Sequence, residues 1–377
     1  MSIFYSMNLE NVAKSRPLCR PAFSSARQAL SFVAFAMGTL VVPMIFSMIW
    51  PIESWRIYRG VPAHFGNYSH IGDVIAGGGE YDIVVIGASD GQTCIDTPLL
   101  AEAMSAHLGR PAKVVNLSSS WAGEDRHHQI LTDFYKAGGT ATLVIGFEND
   151  ALQRSPHELA KYWWRQNSSS AGLSFRSRTQ LYMQTVIGTP RRIWLRLQGA
   201  GGPTATPQNR RNAEIIKNNL GYQPELRGFK SHYEPDSVRR EVIEREFEPV
   251  AVDFATHIFT KESEDSFVWQ YYGHSEFFTH FQKKTYELVT SNGGMFYAVQ
   301  APLYFKQEAL EKVVIRPLYE NEPRSWGVIG VSQAELFPDL EFDEMRSFYL
   351  DESHLNVVGA RHFTQTLTPI FESLLTR

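Results

Sequence analysis

Four residues of types that act together in acyl transfer stand in three separate segments of the chain. Ser89 lies in a small-residue turn, and Asn149 follows an apolar run that ends at residue 146. Asp351 and His354 stand three positions apart near the end of the sequence, a spacing that lets them meet within one loop. A serine hydroxyl becomes a nucleophile when a histidine takes its proton and a carboxylate fixes the histidine tautomer. The pattern therefore predicts a Ser-His-Asp site.

The same segments offer donors for a tetrahedral oxyanion. We expect this oxyanion hole to use backbone N–H groups of Ser89 and Ser119 and the side-chain amide of Asn149. Each segment also has a simpler interpretation. Ser89 would lie in an ordinary tight turn, Asn149 in an Asn-Asp turn, and Asp351 would cap a helix beside a surface His354.

Short apolar runs that alternate with helical stretches predict the sheet that would join these segments. The predicted strands are Tyr81–Ala88, Lys113–Leu117, Thr142–Gly146 and Met295–Gln300, and the predicted helices are Pro98–Leu108, Glu124–Ala137 and Gly359–Leu375. Such alternation is typical of a parallel sheet with right-handed crossovers. The predicted fold class is a doubly wound, flavodoxin-like α/β domain, and such sheets bind ligands beyond the carboxyl ends of their strands.

A long insertion separates the third predicted strand from the fourth. It runs from about residue 151 to residue 292, and 238–261 and 269–290 are predicted helices rich in aromatic residues. Its aromatic side chains would form a sugar-stacking wall or belong to the core: Trp163, Trp164, Trp269, Tyr271, Tyr272, Phe277 and Phe278. Residues 151–211 hold ten Lys or Arg and one acidic residue. This charge indicates either a solvated face or contact with anionic headgroups or an acidic partner.

The residues from 29 to 50 are uncharged and predict a transmembrane helix, because they are long enough to cross about 30 Å of hydrocarbon. Residues 1–28 carry an excess of Lys and Arg, which favours a cytoplasmic tail. Residues 51–377 would then form one extracytoplasmic domain. A cleaved signal peptide is the alternative, although its apolar region is normally shorter.

Composition argues against several classes of protein. The formal net charge of −4 gives no indication of nucleic-acid binding. Cys19 and Cys94 are the only cysteines, too few for a zinc cluster. His127 and His128 are adjacent rather than four apart, so they lack the spacing of a zinc helix. We expect neither a metal nor a cofactor.

Together and in this order, the segments resemble the SGNH (GDSL-like) hydrolase family. The turn 87–89 matches the position of its Gly-Asp-Ser block, with Ala88 in place of Asp. The loop 116–123 looks like its Asn-Leu-Gly block, with Ser118 or Ser119 at the glycine, and 146–150 resembles Gly-x-Asn-Asp with one extra residue. The segment 351–354 matches its Asp-x-x-His block, including the Leu-Asn that follows.

The resemblance, combined with the predicted anchor, implies a membrane-anchored O-acetyltransferase or acetylesterase acting on an exported polysaccharide. This combination of an anchor and an SGNH-like domain resembles the bacterial proteins of alginate and cellulose acetylation and of teichoic-acid D-alanylation. The implied catalytic residues are Ser89, His354 and Asp351, and the implied partners are a polysaccharide acceptor and a multi-spanning membrane-bound O-acyltransferase. The implied location is the cytoplasmic (inner) membrane of a bacterium, with the domain in the periplasm. A non-catalytic SGNH-like assembly factor that docks such an acyltransferase or a glycan is the alternative.

Overall fold

The computed structural model describes part of the chain and divides it into two compact units, residues 1–50 and residues 51–377. The described residues are 23–49, 53–61, 68–119, 123–147, 156, 170–197, 214–222, 258–259, 275–301, 327–331, 336–337, 340–350 and 354–377.

The first unit contains helix α1, Ala26–Ile49. Ser25 starts it, because its hydroxyl accepts a hydrogen bond from the Gln28 N–H at 3.2 Å. Large apolar side chains on all sides of α1 are exposed: Leu30, Phe32, Val33, Phe35, Met37, Val41, Val42 and Ile45. The side chains of residues 40, 43, 44 and 46–49 lie outside the description.

A search confined to the described residues finds no helix with the length and apolarity needed to cross a membrane. The membrane span over residues 29–50 stays a prediction.

The second unit is built on a six-stranded sheet with the order β2-β1-β3-β5-β6-β4. The strands are β1 Gly79–Ile86, β2 Val114–Asn116, β3 Gly139–Phe147, β4 Ile258–Phe259, β5 Met295–Gln300 and β6 Val328–Gly330. Strands β2, β1, β3, β5 and β6 are parallel, and β4 runs antiparallel at the edge beside β6. The five parallel strands follow the order 2-1-3-4-5 of flavodoxin-like doubly wound sheets.

Helices cover both faces of this sheet. The described helices of the second unit include α2 Ser54–Arg59, α3 Tyr68–Gly77, α4 Ser89–Thr93, α5 Thr97–Leu108, α6 Glu124–Lys136, α7 Phe175–Leu197, α8 Glu276–Ser291, α9 Phe342–Met345 and α10 Val357–Leu375. Ile83 and Val85 of β1 pack in one core with α5 and α10. Val84 and Ile86 pack in a second core with α3, α6 and α8. Because β1 is buried on both faces, its sequence is a continuous apolar run rather than an alternating one.

The fold agrees with the prediction of a parallel α/β sheet, with several corrections. Strand β3 begins at Gly139, three residues earlier than predicted, and β1 ends at Ile86 rather than at residue 88. Strands β4 and β6 were not predicted, because runs of two and three residues carry too little periodicity. The helix predicted over 238–261 is wrong at 258–259, which form β4, and the rest of that range lies outside the described residues. Helix α8 begins at Glu276, so the predicted helix over 269–290 has a shorter observed counterpart.

The described part of the insertion attaches to the domain through α8. Leu173, just before α7, and Leu181, within α7, form a small core with Phe277 and Phe281 of α8. At the start of α8, Glu276 accepts hydrogen bonds from the Ser177 hydroxyl at 2.6 Å and from the Ser174 hydroxyl at 2.8 Å. Burial alone would raise the pKa of Glu276, but these hydroxyls, the Ser174 N–H and His280 together bring the pKa below its usual value.

The link between α7 and α8 should weaken in acid. Because the pKa of Glu276 is lower in the folded protein, its contribution is complete above the ordinary value of 4.5 and is lost as the pH falls through the lower folded pKa. We expect amide hydrogen exchange at residues 173–181 to accelerate over that interval. The Glu276→Gln variant should show no such step, and the Glu287→Gln variant, changed at an exposed carboxylate, should keep it. A step that persists in Glu276→Gln would assign the transition to another group.

Tight packing at the start of α10 gives a second prediction. A Cβ on Gly359 would lie 2.4 Å from the Phe348 carbonyl oxygen, whereas a Cβ on Gly77 would meet nothing within 4 Å. We expect Gly359→Ala to reduce the free energy of unfolding by roughly 1–3 kcal/mol, since overpacking against backbone forces a shift. Gly77→Ala should be neutral or stabilising, because alanine is the better helix former. Equal midpoints for the two variants in urea unfolding would contradict the described packing.

Candidate active site

Ser89 stands in a tight turn at the carboxyl end of β1. Gly87 is required there, because a Cβ would lie 2.6 Å from the Cβ of Phe147 on the neighbouring strand. The turn leads directly into the short helix α4, of which Ser89 is the first residue. Between residues 82 and 97 every residue is buried except Ser89, which is partly exposed. The turn therefore presents one side chain, a hydroxyl, from a segment that is otherwise closed.

The loop after β2 is bonded to this turn from end to end. The Ser119 N–H donates to the Gly87 carbonyl at 3.0 Å. The Asn116 amide donates to the Gly91 carbonyl at 2.7 Å, and the Gln92 amide donates to the Ser118 carbonyl at 3.1 Å. The loops 87–93 and 116–119 are thus joined to each other. The turn that holds Ser89 and the loop that holds Ser119 therefore lie side by side.

These bonds bear on the predicted oxyanion hole. Because the N–H of Ser119 is engaged with Gly87, it becomes an oxyanion donor only when that hydrogen bond opens. The Ser118 hydroxyl is buried and has no hydrogen-bond partner among the described residues. It lies against Gly91, where an added Cβ would come within 2.5 Å of the Ser118 oxygen.

A buried arginine, which sequence reasoning missed, holds the two loops together. Arg126 of α6 is fully buried. Its Nη1 donates to the carbonyl and the hydroxyl of Ser119, at 3.0 and 2.6 Å, and also to the Tyr68 hydroxyl at 3.1 Å. Its Nη2 donates to the Gly87 carbonyl at 3.2 Å. One planar guanidinium therefore contacts both loops, a geometry that its forked donors allow and a lysine ammonium does not.

Two further side chains of α6 orient this guanidinium. Nη2 of Arg126 lies 2.7 Å from Nε2 of His127. Because a guanidinium only donates, this ring nitrogen accepts, and the ring hydrogen is on Nδ1. Nδ1 in turn lies 3.4 Å from a carboxylate oxygen of Glu124. A chain of contacts thus runs from Glu124 through His127 and Arg126 to the turn that precedes Ser89.

A small pocket, lined by both polar and apolar side chains, lies next to the contacts of Glu124 and His127. Residues from β1, β3, β5, α6 and α8 line it: Ile86, Glu124, His127, Gly146, Phe147, Gln282, Thr285 and Phe296. The Thr285 hydroxyl is buried and has no hydrogen-bond partner in the described part of the chain. Burial raises the pKa of Tyr68, against the opposing charge of Arg126, so this phenol stays neutral.

His354 lies in a short closed loop before α10. The Leu350 N–H donates to the His354 carbonyl at 2.7 Å, and Tyr349 pairs with Leu355 as an antiparallel bridge. The Asn356 side chain then caps α10, accepting from the N–H groups of residues 358 and 359 at 3.1 and 3.0 Å. These bonds fix the backbone on both sides of residues 351–353. Asp351 itself lies outside the described residues.

The packing of α10 on α5 relates His354 to Ser89. The Asp96 N–H donates to the Thr364 hydroxyl at 2.9 Å before α5 begins, and His107 lies 3.9 Å from Glu372 near its end. The two helices therefore run in the same direction. The first seven residues of α10, 357–363, precede Thr364, so they extend about 10 Å beyond its hydrogen bond with Asp96, at 1.5 Å per residue. His354 precedes that extension, so it lies on the amino-terminal side of the pair, the side from which α4 enters α5.

Leu355, next to His354, belongs to the same extended core as Cys94 and Ile95, which follow α4, and as Phe147 at the end of β3. Crossover helices begin at the carboxyl edge of a parallel sheet, so Ser89 and His354 stand at the same edge. The predicted Asn149 follows β3 at this edge in sequence, but residues 148–150 lie outside the described range.

Two other predictions about this region can be compared with the structure. Phe277 and Phe278 are buried, so these two belong to the core rather than to a sugar-stacking wall. Trp163, Trp164, Trp269, Tyr271 and Tyr272 lie outside the described residues. In the described part of the chain, no group of three or more His, Cys, Asp or Glu side chains is arranged to hold a metal ion.

No protein-family model, no curated protein and no solved structure matches the chain. The class that its own coordinates define is an α/β protein with a doubly wound parallel sheet. Its candidate site lies at the carboxyl edge of that sheet, between the turn at Ser89 and the loop at His354.

The clamp formed by Arg126 can be tested by substitution. Arg126→Lys keeps the charge but loses the fork, and we expect it to lower the free energy of unfolding by about 2–3 kcal/mol, as for lost hydrogen bonds to a charged group. Amide exchange should accelerate most at residues 87–93 and 117–119. Arg361→Lys, changed at an exposed position of α10, should alter neither measurement. Unchanged protection of both loops in Arg126→Lys would show that the arginine does not hold them.

Proposed function

We propose that this protein transfers an acyl group, acetyl in the simplest case, to or from a hydroxyl of an exported cell-surface polysaccharide. The reaction proceeds through an ester on Ser89. The observation that carries the proposal is the isolated exposure of Ser89 at the carboxyl end of β1, at the same sheet edge as His354. Ligands of doubly wound sheets bind at that edge, and a serine with a histidine is the minimum set for acyl transfer.

In the proposed reaction, His354 takes the proton of the Ser89 hydroxyl as the oxygen attacks the carbonyl carbon of an acyl donor. The tetrahedral intermediate collapses, and the proton passes from His354 to the departing group. An acceptor hydroxyl then gives its proton to His354 and attacks the acyl-serine, which releases the product and restores the Ser89 hydroxyl. Water in place of the acceptor gives hydrolysis, so one set of residues serves a transferase or an esterase.

Asp351 would hold the Nδ1 proton of His354 and stabilise the imidazolium. Asp351 and His354 belong to one loop whose backbone is closed by the bond from Leu350 to His354, which supports this pairing. The oxyanion would be held by the N–H of Ser89 and the amide of Asn149, with Ser119 joining when its bond to Gly87 opens.

We further propose that α1 anchors the chain in the cytoplasmic membrane of a bacterium, with residues 1–28 inside and the catalytic domain in the periplasm. The exposed apolar side chains of α1 and the basic residues that precede it support this orientation. A multi-spanning membrane-bound O-acyltransferase would supply the acyl group from the cytoplasmic side. Such a partner would be needed because a periplasmic domain has no direct access to cytoplasmic acyl thioesters.

The proposal is tested by following hydrolysis of an aryl acetate by the purified full-length protein, with mass spectrometry of the peptide that contains Ser89. We expect an acetyl group on Ser89 and a loss of about 10³-fold or more in kcat/KM for Ser89→Ala and for His354→Ala. Ser291→Ala and His107→Ala, changed on α8 and α5, should keep full activity. Oligosaccharide acceptors would then separate transfer from hydrolysis.

A different outcome would favour the second function. If the parent protein and Ser89→Ala turn over alike and no acyl-serine forms, the catalytic proposal fails. The chain would then be a non-catalytic assembly factor, and capture of a membrane-bound acyltransferase that is lost on charge reversal at Arg191 and Arg192 would support that role.

A further inference from the structure

Helix α7 turns its large apolar side chains outward and its small polar ones inward. Phe175, Tyr182, Met183, Ile187 and Trp194 are between 42 and 80% exposed. At 100° per residue these five positions fall on one face of the helix. Apart from the residues of α1, they are the only exposed large hydrophobic residues in the described part of the chain.

The opposite face of α7 is buried but carries little apolar bulk. Among the residues of α7 whose side chains are described, Ser177, Thr185, Gly188 and Thr189 are buried there, and Leu181 is the one large apolar residue with them. The hydroxyls of Thr185 and Thr189 donate to carbonyls one turn earlier in the same helix, at 2.9 and 3.1 Å. The inward polar groups are therefore satisfied, and the helix is stable in this orientation. Hydrophobicity is distributed opposite to the usual pattern of a surface helix, so the outward face requires an occupant.

The charges of α7 indicate which occupant this is. The helix contains five arginines and no acidic residue. Arg176 and Arg178 stand near its first turn and are exposed. Arg191, Arg192 and Arg196 stand near its end, so Tyr182, Met183 and Ile187 lie between two basic groups in the sequence. An apolar face with aromatic residues and flanking arginines is the composition of helices that lie in the interface of an anionic bilayer. A second copy of α7 packed on the first would bring five more arginines close to the five already present, which disfavours self-association.

The position of α7 in the domain supports the same conclusion. Helix α7 packs against α2. Residues 50–53 are all that separate α2 from the end of α1 in the sequence, and a fully extended chain of that length spans about 18 Å at most. If α1 is an anchor, α2 cannot be farther than this from the membrane, and α7 stays with α2.

We propose that α7 lies on the membrane, with the face formed by Tyr182, Met183 and Ile187 in the boundary between anionic headgroups and acyl chains. The domain then has two membrane contacts, a spanning helix and a surface helix, and cannot rotate freely about its anchor. The orientation of the candidate site relative to the membrane becomes fixed. This inference rests on the surface of α7 itself; of the proposed function it uses only the anchor, not the catalytic chemistry.

The test uses the full-length protein in vesicles of phosphatidylglycerol and phosphatidylcholine. In a Cys19→Ser background, an environment-sensitive fluorophore is attached at Met183→Cys or Ile187→Cys, and at Thr290→Cys on α8 as the control. Cys94 is fully buried and does not compete for the label. Emission is quenched either by doxyl-labelled lipid or by iodide present on both sides of the vesicles.

We expect doxyl lipid to quench the labels at 183 and 187, and iodide to quench them several-fold less than the label at 290. Vesicles of phosphatidylcholine alone, or the double variant Arg176→Glu and Arg178→Glu, should reduce the lipid quenching. Iodide access at 183 and 187 equal to that at 290 would overturn the proposal. Shielding from iodide without quenching by lipid would also overturn it, because protein would then cover the face.

Carbonate extraction of the same vesicles distinguishes the two membrane contacts. If the protein resists extraction but its labels are accessible to iodide, the anchor is supported and the proposal for α7 fails. If lipid quenches the labels but carbonate then extracts the protein, the proposal for α7 is supported and the anchor fails. Hydrolysis of the aryl acetate by the labelled proteins reports on the catalytic proposal independently of both.

Discussion

The buried guanidinium of Arg126 organises the loops at the carboxyl edge of the sheet. Transferring a guanidinium to the interior costs several kcal/mol unless its donors are satisfied, and Arg126 meets this cost with oxygens from Tyr68, Ser119 and the turn at Gly87. Because the donors are fixed in one plane, the acceptors must keep fixed positions too. The loop after β2 and the turn before Ser89 are therefore held by the same group, and a change in either loop is felt by the other.

Much of the sheet could be predicted from the sequence, since buried parallel strands appear as continuous runs of β-branched residues. The runs before Gly87 and before Asn116 are of this kind, and Met295–Gln300 agrees with the structure at both ends. Strand β3 was predicted too short because it starts with Gly139, Thr140 and Ala141, which carry little hydrophobic signal. The short strands β4 and β6 exist through pairing with neighbours, which no local pattern records.

The site was predictable in part for the same reason. Chain order and the alternation of strands and helices predicted Ser89 at the carboxyl edge of the sheet. The pattern of the last helix predicted His354 in the loop just before α10. Arg126 could not be identified, because an arginine among Glu124, Asp125 and His127 has the local pattern of a solvated helix end. Its burial results from residues 58 positions earlier at Tyr68 and 39 positions earlier at Gly87, a tertiary effect outside any sequence window.

The hydrogen bond from Asp96 to Thr364 joins residues 268 positions apart. It ties the segment that follows Ser89 to the final helix, so the turn at Ser89 acquires its complete packing only after nearly the whole chain has been made. Contacts of such long sequence separation form late in folding, because a large loop must be closed before they can stabilise it. A growing chain would therefore carry Ser89 in a turn whose packing is incomplete. Under the proposed function, Ser89 would become reactive only after the C-terminal helix has docked.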